Sequence, residues 1–139
     1  MKRLFVDTNI IIDFLADRKP FAHSAAALFE NALMGKIKIY ISAVSYNNIY
    51  YILRQSLSHK ETLHLLIELS EMAEIVDVTK NIINSALKSD FRDFEDAIQY
   101  HCALTVSKIE IIVTRDTKDY KKSKLAVMTS EEVMNVIAG

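Results

Sequence analysis

Residues 3–15 read RLFVDTNIIIDFL. Leu4, Phe5 and Val6 form a short apolar run of the kind found in strands buried on both faces. Asp7 ends the run, Thr8 and Asn9 are residue types that open helices, and Ile10 to Leu15 follows as an apolar helical segment. A carboxylate at the carboxyl end of a first strand stands where open α/β sheets place their ligands. An Asp in this position also serves as a plain helix cap. The two readings separate on whether other carboxylates return to the same end of the sheet.

Working outward, Phe21 to Leu33 reads as a helix introduced by Pro20 and closed by Gly35, with Phe21, Ala25, Leu28, Phe29 and Ala32 as its apolar stripe. Lys36 to Ser42 alternates, with Ile37, Ile39 and Ile41 opposed to Lys36, Lys38 and Tyr40, as in a strand with one wetter face. Ser42 or Ser45 can cap a helix reaching about Leu57, in which Asn48 interrupts a largely apolar face. Either it is a satisfied core amide or it points into a polar cavity. Lys60 to Met72 is a further amphipathic helix with Leu63, Leu66, Ile67 and Leu69 inward, and Glu74 to Val78 a short strand. Thr79 caps a helix to about Lys88, and Ser89 to Arg92 connects it to a helix over Asp93–Val106. Glu110 to Thr114 is a buried-type strand, the polar stretch TRDTKDYKKSK a loop, Leu125 to Met128 a last strand, and Ser130 to Ile137 a closing helix. Strands alternating with helices predict an α/β fold whose central, mostly parallel sheet is covered on both faces.

With 139 residues the chain is expected to be a single domain over 1–139 with a full core. Two Gly and one Pro leave no flexible linker and no room for a glycine-rich nucleotide loop. A net charge of −1 supplies no overall positive field, so a polyanion would have to be held by a local basic patch or by metal ions. The single Cys102 fits a reducing cytoplasm. No long apolar run suggests a membrane span, and the N-terminus meets a carboxylate too early for a signal peptide, so a cytoplasmic protein is expected.

The carboxylates do return. Asp7 ends the first strand and Asp116 follows the fourth, and in a parallel sheet both ends open on one side. Asp93 and Asp96 lie three apart in the first turn of one helix, where acids also serve as caps and favour the dipole. Ala97, Tyr100 and Ala103 turn the face of Asp96 toward the protein, where the only well-placed cations are Arg92 and Arg115. Carboxylates sharing a cleft raise one another's pKa unless a cation lies between them. A cluster of Asp and Asn oxygens selects a hard divalent ion, Mg²⁺ or Mn²⁺, and such an ion suits phosphodiester hydrolysis.

The segments FVDTNIIIDFL, SAVSYNNIYYIL, DFEDAIQYHCA and IIVTRDTKDY, in this order, resemble the successive signatures of the PIN domain, a family of small metal-dependent ribonucleases that includes the toxins of VapC-type toxin–antitoxin pairs. The resemblance implies a three-layer α/β/α sandwich and a ribonuclease using Mg²⁺ or Mn²⁺. It implies Asp7, Asp96 and Asp116 as catalytic metal ligands, with Asp119 as a substitute for Asp116 and Asp93 as an auxiliary acid. Thr8 and Thr114 would be supporting hydroxyls and Asn9 a local cap or water contact. Asn48 stands where most PIN domains carry a Glu; its amide oxygen can coordinate a metal but brings no charge. RNA would be met by Arg115, Lys118, Lys121, Lys122 and Lys124, with unpaired bases stacking on aromatics such as Tyr120. An antitoxin protein partner is implied, and the high apolar content predicts a homodimer. Asn48 also admits an inactive module of the same fold that binds RNA or a protein. A phosphoacceptor receiver domain fits poorly, because Ser42 stands where the phosphorylated Asp would lie and Lys124 precedes its strand.

Overall fold

The computed structural model describes residues 1–138. Its elements follow in the order β1 (Lys2–Val6), α1 (Thr8–Leu15), α2 (Ala22–Leu33), β2 (Ile37–Ser42), α3 (Ala43–Leu53), α4 (His59–Met72), β3 (Glu74–Val76), α5 (Lys80–Leu87), α6 (Phe94–Thr105), β4 (Ile111–Val113), a 3-10 turn (Thr117–Tyr120), β5 (Ala126–Met128) and α7 (Ser130–Ala138). The strands stand in the order β3-β2-β1-β4-β5, and all four pairings are parallel. The sheet is therefore wholly parallel, one step beyond the expectation of a mostly parallel one.

Alternation along each strand divides the core. Leu4, Val6, Ile37, Ile39, Ile41, Ile111 and Val113 face a layer built from α1, α2, α3, α4 and α7. Phe5, Tyr40 and Ile112 face α5 and α6. Both faces are covered, as a parallel sheet requires. Tyr40, read from sequence as lying on a wetter face, is buried beneath the second layer, and Arg3 Nη1 donates to its hydroxyl at 2.7 Å.

Three further sequence expectations are corrected by packing. Leu63 and Ile67 on α4 face solvent, 40% and 57% exposed, because Leu65, Leu66 and Leu69 provide the contacts of α4 with the core. Phe21 sits outside the apolar stripe of α2, at its N-cap position and half-exposed. The polar loop after β4 contains the 3-10 turn, which carries Tyr120 inward to pack in the second core layer.

The strand order reverses between β2-β1 and β4-β5, so the crevice outside the carboxyl ends of β1 and β4 is the topological switch point. Register places Val6 beside Val113, and Asp7 N–H donates to the Val113 carbonyl at 2.9 Å. The first residues past two central strands, Asp7 and Thr114, are thereby brought side by side.

Candidate active site

Asp7 is the N-cap of α1, its Oδ1 accepting from Thr8 N–H at 2.8 Å. The cap reading of this residue is correct, and it does not exhaust the side chain. Oδ2 accepts from Thr114 Oγ1 at 2.8 Å and from the Tyr120 hydroxyl at 3.4 Å. Burial pushes the Asp7 carboxyl above its ordinary range, and Asp116 adds to the rise, against the lowering effect of its Thr114 and Thr8 hydrogen bonds. The same burial, with Asp7 and Asp96 nearby, holds the Tyr120 phenol firmly protonated as a donor.

Asp96 lies in the first turn of α6 and is only 8% exposed. Its backbone N–H is taken by the Asp93 cap at 3.0 Å. Its carboxylate has neither a hydrogen-bond donor nor a cationic partner among the described residues. Burial first, then Asp7, Asp93, Asp119 and Asp116 in turn, push its pKa up to about 7. Asp96 thus lies within electrostatic reach of Asp7, Asp93, Asp116 and Asp119. Asp93 itself caps α6, which gives it a structural task beside any auxiliary one.

Asp116 is held from the α1 side. Asn9 Nδ2 donates to its Oδ2 at 3.0 Å and Asn9 Oδ1 accepts from Arg115 N–H at 3.3 Å, while Asp116 N–H donates to Thr114 Oγ1 at 3.1 Å. Asn9, expected as a local cap or water contact, is a bridge between α1 and the segment after β4. Thr8 also differs from expectation. Its N–H serves Asp7, while its hydroxyl pairs with Ser45 Oγ at 2.8 Å and accepts from Gln99 Nε2 at 3.4 Å.

Arg115, expected to meet RNA, is held in an ion pair inside the protein. Its guanidinium grips Asp13 through two hydrogen bonds, 2.8 and 3.1 Å, with Asp13 fully buried and the Phe21 ring 4.1 Å from the guanidinium carbon. A buried carboxylate needs such a partner, so the arginine is committed. Tyr120 is likewise withdrawn from base stacking, being 2% exposed. Lys118, Lys121 and Lys122 remain on the surface and line a groove with Asp90, Phe91, Arg92 and Asp119. Lys122 makes a 3.4 Å exposed contact with Asp90, and the Lys124 side chain is exposed beyond the groove.

Two polar side chains of this region escaped the sequence reading. Asp13 stands in the apolar run IIIDFL, and a lone acid in such a run signals a buried ion pair. Glu95, between Asp93 and Asp96, receives a hydrogen bond from the Asn48 amide. Its carboxyl is raised by burial, then by Asp7 and Asp93. Nothing in linear spacing separates Glu95 from an ordinary solvated first-turn acid.

Among the described residues no three acidic or imidazole side chains close into a ready-made metal-ligating group. The donor chemistry nonetheless fits a hard divalent cation: Asp7, Asp96 and Asp116 offer carboxylate oxygens, and Asp96 is buried with no counter-charge among the described residues.

The sequence model of the PIN domain family matches residues 3–118. "Ribonuclease VapC1" of Aquifex aeolicus (strain VF5) is 25% identical over 136 residues, which covers 94% of this chain and 92% of that protein. Among solved structures, a toxin-antitoxin complex from Klebsiella pneumoniae aligns with a TM-score of 0.68 at 22% identity, over 91% of this chain and 97% of that one. VapC20 of Mycobacterium tuberculosis, described as a sarcin-ricin loop cleaving toxin, aligns at 0.62 and 17% identity, over 78% of this chain and 86% of that one. These two structures share the fold described above.

Proposed function

The chain belongs to the PIN domain family, and we propose that it is a metal-dependent endoribonuclease, the toxin of a toxin–antitoxin pair. The observation that carries this reading is Asp96: a buried carboxylate with no donor or cation among the described residues, within electrostatic reach of Asp7 and Asp116 at the switch point of a parallel sheet. A fold needs no such arrangement for its own stability, since an unpaired buried acid destabilises it. A cation-binding, phosphate-cleaving site does need it.

Asp7, Asp96 and Asp116 would hold Mg²⁺ or Mn²⁺, with Asp119 within reach. Once bound, the ion supplies activation of water and neutralises charge on the phosphate. The chain's own residues do the positioning. Thr114 and Tyr120 fix one oxygen of Asp7 and Thr8 N–H the other, so the carboxylate is aimed before any ligand arrives. Asn9 fixes Asp116 in the same way. Lys118, Lys121 and Lys122 would take the RNA backbone along the groove beside the acids, contributing affinity without sequence choice.

An antitoxin partner is proposed from the relatives, and a homodimer from the exposed apolar side of α4, where Leu63 and Ile67 line one pocket. The competing reading, an inactive module of the same fold, is favoured by neutral Asn48 alone.

Cleavage of a mixed single-stranded RNA by purified protein, with Mg²⁺, with Mn²⁺ and with EDTA, tests the proposal, with Asp96→Asn run in parallel. Metal-dependent cleavage absent from the variant is expected. No cleavage by folded protein, together with no Mn²⁺ binding by calorimetry, would refute it in favour of the inactive module.

A further inference from the structure

Position 48 brings an amide where a carboxylate would be expected, and the structure shows how that amide is used. Asn48, half-buried on α3, donates through Nδ2 to Oε1 of Glu95 in the first turn of α6. Three residues back on α3 and four residues on along α6, Gln99 Nε2 donates to Ser45 Oγ at 2.8 Å. These spacings put Ser45 with Asn48, and Glu95 with Gln99, on single helix faces. α3 and α6 are thus joined by two polar rungs, an inner Ser45–Gln99 and an outer Asn48–Glu95. The other oxygen of Glu95 has no hydrogen-bond partner among the described residues, and the next residue along is Asp96.

We propose that Glu95 is the carboxylate that completes the acidic cleft, carried by α6 in place of one on α3, and that Asn48 is the positioning residue that aims it. A Glu at position 48 would set two carboxylates against each other across this rung. An Asn offers the donor that one carboxylate needs. The negative charge of the cleft is then retained while its carrier changes helix, and neutral Asn48 ceases to argue for a dead site. This inference rests on the metal-dependent reading above and assigns a further residue to that site.

The test is calorimetric titration of Mn²⁺ into wild type, Glu95→Gln, Asn48→Ala, and the charge-relocating pair Asn48→Glu with Glu95→Gln, each accompanied by thermal melting in EDTA. Gln at position 95 still accepts the Asn48 hydrogen bond, so the variant keeps the rung and loses only the charge. Glu95→Gln is expected to weaken Mn²⁺ binding by about 10- to 100-fold, without a lower melting temperature in EDTA. Asn48→Ala should weaken it in the same direction while leaving every acid in place. The relocating pair should regain most of the lost affinity, which a role confined to helix packing would not produce. Wild-type Mn²⁺ affinity in Glu95→Gln, or a relocating pair no better than that single variant, overturns the inference while the ribonuclease reading stands. A wild-type protein that neither binds Mn²⁺ nor cleaves RNA overturns both.

Discussion

Replacing Asp96 by Asn should stabilise the metal-free protein at neutral and alkaline pH and have almost no effect in acid. In the folded protein the Asp96 pKa rises from the ordinary 3.8 to about 7. Between those values the native state holds a proton that the unfolded chain has released, so stability falls as pH rises through that window. Below pH 4 both states are protonated and the penalty vanishes; above pH 7 it is complete. At about 1.4 kcal/mol per pH unit the ceiling is about 4 kcal/mol, and water entering the open cleft reduces this to roughly 2 kcal/mol. The carboxylate accepts no hydrogen bond among the described residues, so Asn at this position removes charge without breaking a bond. Urea unfolding in EDTA at pH 4 and pH 8 measures the difference. With an m-value of roughly 2 kcal/mol/M, the variant's midpoint should lie about 1 M above wild type at pH 8 and coincide with it at pH 4. Adding Mn²⁺ at pH 8 should reverse the order, because only wild type gains by binding an ion in its native state. A variant no more stable than wild type at pH 8 would show that the acids do not share one field, and the argument for a cation site would fail with it.

Other perturbations separate structural from functional parts of the same region. Arg115→Ala strips the partner from fully buried Asp13 and should cost about 3–5 kcal/mol in urea unfolding; a loss of RNA affinity at unchanged stability would return Arg115 to the RNA-binding set. Tyr120→Phe removes one long hydrogen bond to Asp7 and should cost on the order of 1 kcal/mol, with weaker Mn²⁺ binding by calorimetry; unchanged binding would mean that Thr114 and Thr8 suffice to aim Asp7. Lys118→Ala, Lys121→Ala and Lys122→Ala combined should flatten the plot of log affinity against log salt by roughly 2 to 3 for single-stranded RNA. An unaltered slope would place the RNA path elsewhere.

Patterning made the layered sheet legible because hydrophobic period is a local property. The runs over Leu4–Val6 and Ile111–Val113 could only be buried strands, and the helical stripes between them required a parallel sheet covered on both sides. Asp7 and Asp116 were legible for the same reason, since the end of a parallel strand has one address in the fold. What failed was the assignment of side chains whose fate depends on residues 47 to 113 positions away. Arg115 looked like part of a basic run until Asp13, inside an apolar helix, claimed it. Tyr120 looked like an exposed stacking ring until a 3-10 turn carried it inward to Asp7. Asn48 was judged by the charge it lacks, although its partner Glu95 sits 47 residues on, in the middle of a motif already read for its two aspartates. Each correction has the same physical origin: a buried polar group must find a partner, and the partner is set by how helices pack, which linear spacing does not encode. An acidic cleft is therefore better counted by the carboxylates that reach it than by the positions from which they are expected to come. By that count the Asp7, Asp96 and Asp116 cleft gains Glu95 and loses nothing at position 48.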